Sequence, residues 1–261
     1  MLPAIGRRNS HCRIGRLSVT GLRSIDLNSD VGEGFGVWAG GPDEALMPLL
    51  TSVNVACGFH AGDPLIMQRT CLLARQHGCT IGAQVSYPDL AGFGRRFMEM
   101  QPADLTAAVL YQIGALDGFA RLAGDRVRYV KPHGALYNAL VNHEGQAAAV
   151  AAAVHSYDPS LAVLGLPGSA IGTECGRLGL RFVEEGFADR AYTDVGTLVP
   201  RTQAGALITN PDAAAVQALA LAERGVQSIC VHSDTPGAAE ILATVAVALA
   251  TAGIRKDPFI R

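Results

Sequence analysis

From residue 25 onward, short runs rich in β-branched and other apolar residues alternate with longer amphipathic ones. The short runs, over 25–28, 53–57, 80–85, 127–131, 161–166, 181–184 and 228–232, several of them stopped by Gly or Pro as at Gly58, Pro132 and Pro167, predict buried strands. The stretches between them, over 43–50, 64–77, 102–122, 134–141, 144–156, 170–178, 212–224 and 237–252, predict helices. Some starts are marked. Asp63-Pro64 offers an N-cap and a first-turn proline, and Pro102 is followed by Asp104 in the first turn. Repeated strand-then-helix units argue for a parallel sheet with helices outside it. Seven or so units without G-x-G-x-x-G or a P-loop favour a closed α/β barrel over a dinucleotide fold, since Gly32-Glu-Gly-Phe-Gly36 has the wrong spacing.

No linker or composition shift divides 25–261, so one barrel domain is expected there. Residues 1–24 differ: they hold Arg7, Arg8, Arg13, Arg16 and Arg23, no acid and no apolar period, and read as a disordered basic extension. A signal peptide would need an apolar centre that this stretch lacks. At 261 residues and 49% hydrophobic the chain is long enough for one large core. A net charge of -2 gives no electrostatic case for nucleic acid or an acidic membrane surface as partner. Cys12, Cys57, Cys71, Cys79, Cys175 and Cys230 form no C-x-x-C pair and mostly sit in apolar contexts, which points to reduced thiols and a cytoplasmic setting.

Candidate chemistry collects where the predicted strands end. The polar residues there are Asp26, Asn28, Asp30 and Glu33; Asn54, His60 and Asp63; Gln84, Tyr87 and Asp89; Lys131 and His133; Glu184, Asp189 and Arg190; and His232 and Asp234. Asp63 and Asp89 read as caps of local turns. The others together describe a ring at the carboxyl ends of barrel strands, the place where such folds keep their active sites. Asp26, Asn28 and Asp30 are spaced by two and share one face of an extended strand, pointing into the barrel; carboxylates placed there must be paired, protonated or metal-bound. Of 21 basic residues only Lys131 and Lys256 are lysines, so Lys131 at a strand end suggests a compact ammonium either pairing with Asp30 or meeting a substrate oxygen. His60, His133 and His232 come from three strand ends. Zinc usually brings a tighter pattern than this, and general acid/base work with His and carboxylate is preferred.

The motifs DLNSDVGEGFG over 26–36, NVACGFHAGDP over 54–64, KPHGALYN over 131–138, FADR over 187–190 with Tyr192, and ICVHSD over 229–234 resemble the LamB/YcsF family, in order, from about 25 to 254. That family is the A subunit of prokaryotic ATP-dependent 5-oxoprolinase. The resemblance implies a distorted seven-stranded TIM-like (β/α) barrel of the glycoside hydrolase/deacetylase-like kind. It further implies cleavage of 5-oxo-L-proline to L-glutamate with ATP as cosubstrate, carried by Mg2+, in a complex with B and C subunits. Matched position by position, Asp30, Glu33, His60, Lys131 and His133 are expected in catalysis, and Asp26, Asn28, Asp189, Arg190, His232 and Asp234 at the substrate. Within that, Asp30 or Glu33 is the expected base, His60 and His133 the acid/base or oxyanion donors, and Lys131 or Arg190 the cation for the substrate carboxylate. Two other readings stay open: a metal-dependent deacetylase-like amide hydrolase using Asp30, His60 and His133, and a non-catalytic protein that binds the lactam for its partners. The chain departs from the family pattern at Gln84, where a histidine is usual, at Ser29, where a cysteine is usual, and in a shortened stretch near 224–226.

Overall fold

In the computed structural model of the chain, residues 24–261 are described. The extension expected over 1–24 lies outside the described residues, save Ser24, which begins the first strand. Seven parallel strands run in sequence order: β1 (Ser24–Val31), β2 (Ser52–Ala56), β3 (Thr80–Val85), β4 (Tyr129–Pro132), β5 (Ala162–Gly165), β6 (Arg181–Phe187) and β7 (Ser228–Cys230). Each pairs with the next, and β1 pairs with both β2 and β7, so the ring closes as a TIM-like barrel. Helices α1 (Asp43–Leu46), α2 (Pro64–His77), α3 (Pro102–Leu122), α4 (Gly134–Ala139), α5 (Glu144–Tyr157), α6 (Ala170–Leu178), α7 (Pro211–Glu223) and α8 (Ala238–Thr251) surround it. A two-residue strand, β8 (Arg255–Lys256), pairs with the start of β1, outside the ring; two residues are too few to leave a periodic signal.

The sequence predicts one continuous helix over 43–50, yet α1 stops at Leu46 and a 3-10 turn with Pro48 follows, because proline brings no N–H to an α-helical ladder. Elsewhere the capping logic holds: the Asp63 carboxylate accepts from the Leu65 and Ile66 amides at 2.9 and 3.0 Å, and Gly78 closes α2 in the left-handed region. No helix of the described residues is long and apolar enough to cross a membrane.

The strands are buried on both faces, but the two faces differ. Leu27, Val53, Val55, Ile81, Ala83 and Ile229 point outward into the apolar layer beneath the helices. The alternate positions point inward, where Asp26, Asn28, Asp30, Ser52, Asn54, Gln84, Lys131, Glu185 and Ser228 are fully or nearly fully buried. The amino end of the barrel is plugged by Tyr129, Leu164 and Val183, with Phe259 edge-on to Tyr129 at 5.1 Å. Gly82 makes that plug possible: a Cβ there would lie 2.2 Å from the Tyr129 ring.

Candidate active site

The barrel interior is built in tiers. Lowest is Asp26, fully buried, accepting hydrogen bonds from the hydroxyls of Thr51, Ser52 and Ser228. Burial without a cation pushes its carboxyl up to about 6, against the pull of those three hydroxyls. Above it, Asn28 donates to Glu185 Oε1 at 2.9 Å and to Ser228 Oγ at 2.7 Å, while Asn54 donates to Asn28 and Asp30 at 2.7 and 2.9 Å. Lys131 reaches across this tier. Its ammonium lies 2.8 Å from Glu185, 3.3 Å from Asp30 and 3.1 Å from the Asn28 carbonyl, and 5.2 Å from the centre of the Phe187 ring. Burial alone would raise the Asp30 carboxyl and lower the Lys131 ammonium. Their pairing reverses both, holding Asp30 well below the usual carboxylate range and Lys131 well above the usual lysine range.

A second cluster sits beside the first. Gln84 is its hub: the amide nitrogen donates to Glu33 Oε1 and to His133 Nδ1, both at 2.9 Å, and the amide oxygen lies 3.2 Å from His60 Nε2. His133 Nε2 lies 2.9 Å from the Phe93 carbonyl. With Nδ1 accepting from the Gln84 amide, His133 is protonated at Nε2 and donates to the Phe93 carbonyl. Burial, reinforced by neighbouring His60, pushes the His133 imidazole well below its ordinary value. The two rings stack at 3.9 Å and 12°. Phe93 packs edge-on to both, at 5.6 and 5.3 Å, and takes the left-handed region (φ 54°), rare for a non-glycine residue. Gly94 follows at φ +66° because a Cβ there would fall 2.3 Å from Ser86 Oγ and 2.9 Å from His133 Cδ2.

Glu33, His60 and His133 bring their donor atoms within 4.8 Å of one another, a spacing that invites a metal. Glu33 Oε1 is 3.4 Å from His60 Nε2 and 3.4 Å from His133 Nδ1. The rings do not fit that reading. A metal binds in the plane of an imidazole, and two near-parallel rings stacked at 3.9 Å have no common in-plane point between them. The Gln84 amide already joins all three groups by hydrogen bonds. The group is a hydrogen-bonded cluster, and Asp30, expected as a ligand in the deacetylase-like reading, belongs to the lysine tier instead.

A third unit stands on the other side of the mouth. Asp189, fully buried, accepts from the His232 backbone N–H at 3.1 Å, from His232 Nδ1 at 3.0 Å and from the Thr235 hydroxyl at 2.5 Å. Burial would raise the Asp189 carboxyl, yet the His232 charge and these donors hold it below the usual range. His232 lies flat on Phe187 at 5.1 Å and 13°. Nδ1 faces Asp189, which leaves Nε2 as the ring nitrogen turned away from that carboxylate.

These units meet at a cavity of about 880 Å³ at the carboxyl ends of the strands, lined by Asp30, Lys131, His133, Arg190 and His232 together with Arg95 and Arg201. The sequence-predicted residues thus divide. Asp30, Lys131, His133, Arg190 and His232 reach the cavity wall. His60 and Glu33 stand behind His133, and Asp189 behind His232. Asp26 and Asn28 lie in the tiers below, where every polar atom is spent on barrel neighbours, so direct substrate contact does not follow from their placement. Asp234 is half-exposed at the rim, 2.7 Å from Arg95 and 3.0 Å from Arg201. Glu184, grouped with the strand ends by sequence, is only partly buried, and its neighbour Glu185 is the inward one. Alternation along β6 was the signal for it: Val183, Glu185 and Phe187 share the inner face. Arg201 left no signal, since it sits in the irregular segment between β6 and α7.

Fold and site together define a parallel (β/α) barrel with a cavity lined by ionisable side chains at its carboxyl end. The LamB/YcsF family model matches residues 25–261, and the chain belongs to the LamB/YcsF family. It is 54% identical over 248 residues to the A subunit of 5-oxoprolinase from Streptomyces avermitilis, covering 90% of this chain and 99% of that one. It is 52% identical to the corresponding A subunit of Mycobacterium avium over 251 residues, 91% and 100% of the two chains. Among solved structures, the lactam utilization protein of Thermus thermophilus superposes with a TM-score of 0.85 at 40% identity, over 90% of this chain and all of that one.

Proposed function

We propose that this chain is the lactam-handling component of an ATP-dependent 5-oxoprolinase, opening 5-oxo-L-proline to L-glutamate together with B and C subunits. The observation that carries the reading is the single cavity in which Asp30, Lys131, His133, Arg190 and His232 converge, in a chain that spans nearly the whole length of relatives named as the A subunit of 5-oxoprolinase.

An unstrained lactam resists water because amide resonance must be broken. Transfer of the ATP terminal phosphoryl group, with its Mg2+, to the lactam oxygen makes the ring carbon electrophilic. Water then adds to that carbon, the C–N bond breaks with a proton delivered to nitrogen, and the resulting acyl phosphate is hydrolysed by a second water. This chemistry needs a base for water, an anchor for the substrate carboxylate and a proton donor for nitrogen. His232 Nε2 is the base, oriented by buried Asp189 as in a carboxylate–imidazole pair. Asp30 is ill-suited to that role, because the Lys131 charge keeps it ionised and weakly basic. Lys131 in turn spends its N–H groups on Glu185, Asp30 and Asn28, which leaves Arg190 as the carboxylate anchor. Arg190 is held for this by the carbonyls of Val199 and Ala206, at 2.6 and 3.3 Å. His133 and the Gln84 cluster form the opposite wall.

The test is glutamate release from 5-oxoproline, ATP and magnesium by this chain with and without the B and C subunits. The mixture should turn over and the chain alone should not. His232→Ala in the mixture should lose most turnover, far beyond what its lower melting temperature explains, since the change also takes a donor from buried Asp189. Full turnover by the isolated chain, or by the His232 variant, would sink the assignment.

A further inference from the structure

The rim of the cavity carries more positive charge than the substrate's single carboxylate can use. Arg95 and Arg201 converge on one carboxylate, Asp234, at 2.7 and 3.0 Å, and Arg190 lines the same cavity. Of the three guanidinium groups, Arg95 and Arg201 share the single direct carboxylate partner Asp234, while Asp30, Glu33 and Asp189 act on the rim arginines without a direct ion pair. A monocarboxylate bound to Arg190 would leave the Arg95–Arg201 pair still sharing one aspartate. Their mutual repulsion is strong enough that Arg95 and Arg190, already lowered by burial, are lowered further by Arg201. Arg201 also holds a buried Nη2 with no hydrogen-bond partner among the described residues, a donor whose desolvation is uncompensated unless a ligand meets it. Space points the same way. Cavities of roughly 300–1,000 Å³ serve drug-sized ligands, and one of about 880 Å³ is far larger than a five-membered lactam fills.

We propose that Arg95 and Arg201, braced by Asp234 and flanked by Arg190, form a phosphate-binding site separate from the lactam carboxylate anchor. Guanidinium forks match the geometry of phosphate oxygens, and two forks held side by side favour a dianion over a monoanion. The site deepens the 5-oxoprolinase reading and rests on it: a phosphate-bearing cosubstrate would be held at the cavity rim, in the same cavity as the carboxylate anchor Arg190. The same chemistry would hold the terminal phosphate of a nucleoside triphosphate or free inorganic phosphate.

Binding decides the matter without turnover. The purified full chain is titrated calorimetrically with inorganic phosphate, and separately with ATP and magnesium, in the parent and in Arg201→Gln and Arg95→Gln. An exposed arginine of α6, replaced as Arg177→Gln, serves as control. Phosphate should bind the parent and the control alike, and each rim variant should weaken it about tenfold or more while melting within a few degrees of the parent. A parallel loss for ATP assigns the site to the nucleotide phosphate; loss for inorganic phosphate alone assigns it to the free ion. Saturating 5-oxoproline should leave the phosphate affinity within about twofold. Failure of phosphate and ATP to bind the parent, equal affinity in the rim variants, or competition by 5-oxoproline would overturn the proposal. Glutamate release by the assembled subunits is independent of these results, so the 5-oxoprolinase reading can survive the loss of this site.

Discussion

Removing the Lys131 ammonium tests the interior charge balance directly. Lys131 is the only cation in contact with Asp30 and Glu185 among the described residues, and all three side chains are at most 6% exposed. In Lys131→Met the chain fills similar space, but two buried carboxylates lose their counter-charge. Breaking a buried pair from one side costs about 3–5 kcal/mol. For a domain of this size that is a melting temperature lower by roughly 6–20 °C. The pH dependence is the sharper readout. In the parent, Asp30 is held below its unfolded value, so its contribution is present above pH about 4 and lost as pH falls below it. Without Lys131 burial dominates, the carboxyl rises above its unfolded value, and stability is lost as pH rises. The gap between parent and variant therefore widens from pH 5 to pH 8. Urea melts at several pH values measure it, and Lys131→Met with Glu185→Gln should recover part of the loss. A gap below about 1 kcal/mol, or one that does not change between pH 5 and pH 8, would refute the buried ion triad.

Asp26 should titrate with the same sign as that variant. Its carboxyl, raised from 3.8 to about 6, gives stability that is full below pH 4 and declines by about 3 kcal/mol as pH rises through 6. Asp26→Asn should therefore gain on the parent between pH 4 and pH 7 in chemical melts; an unchanged difference would mean that Asp26 stays ionised throughout. Gly94→Ala places a methyl against Ser86 and His133 in a left-handed conformation, at a strain of about 1–2 kcal/mol. The variant should melt a few degrees lower and lose far more activity in the assembled enzyme than that shift explains, measured as glutamate release per folded chain.

The seven strands and the longer outer helices were legible because most strands are short runs rich in apolar residues and the longer helices, such as α2, α3 and α5, repeat their apolar positions over several turns. The inward polar face of β1 was legible too, since Asp26, Asn28 and Asp30 recur at the period of a strand. What pairing follows from that face was not. Which of two adjacent glutamates, Glu184 or Glu185, points inward depends on the register of β6, and a strand judged to end one residue early selects the wrong one. The Gln84 hub was visible only as a departure from the family pattern. That an amide there would join two histidines and a glutamate needs the spatial order of β1, β2, β3 and β4. Arg201 lies in irregular chain, where only the closed fold decides which side chain meets Asp234.

Charge is graded along the barrel axis, and the grading constrains how a ligand lies. The lowest tier holds Asp26, whose carboxyl is raised by burial, and the next holds two carboxylates against one ammonium. The rim reverses the sign, with three guanidinium groups against Asp234. A ligand with an anionic end and a neutral amide end therefore gains by placing its anion outward at the arginines and its amide inward. Such a pose puts the amide carbon at the level of His232 and His133, the two cavity-wall imidazoles, one with a free nitrogen and one locked by Gln84 and Phe93. On the function proposed above, the polarity of the barrel, more than any one residue, would favour a carboxylated lactam over an uncharged amide.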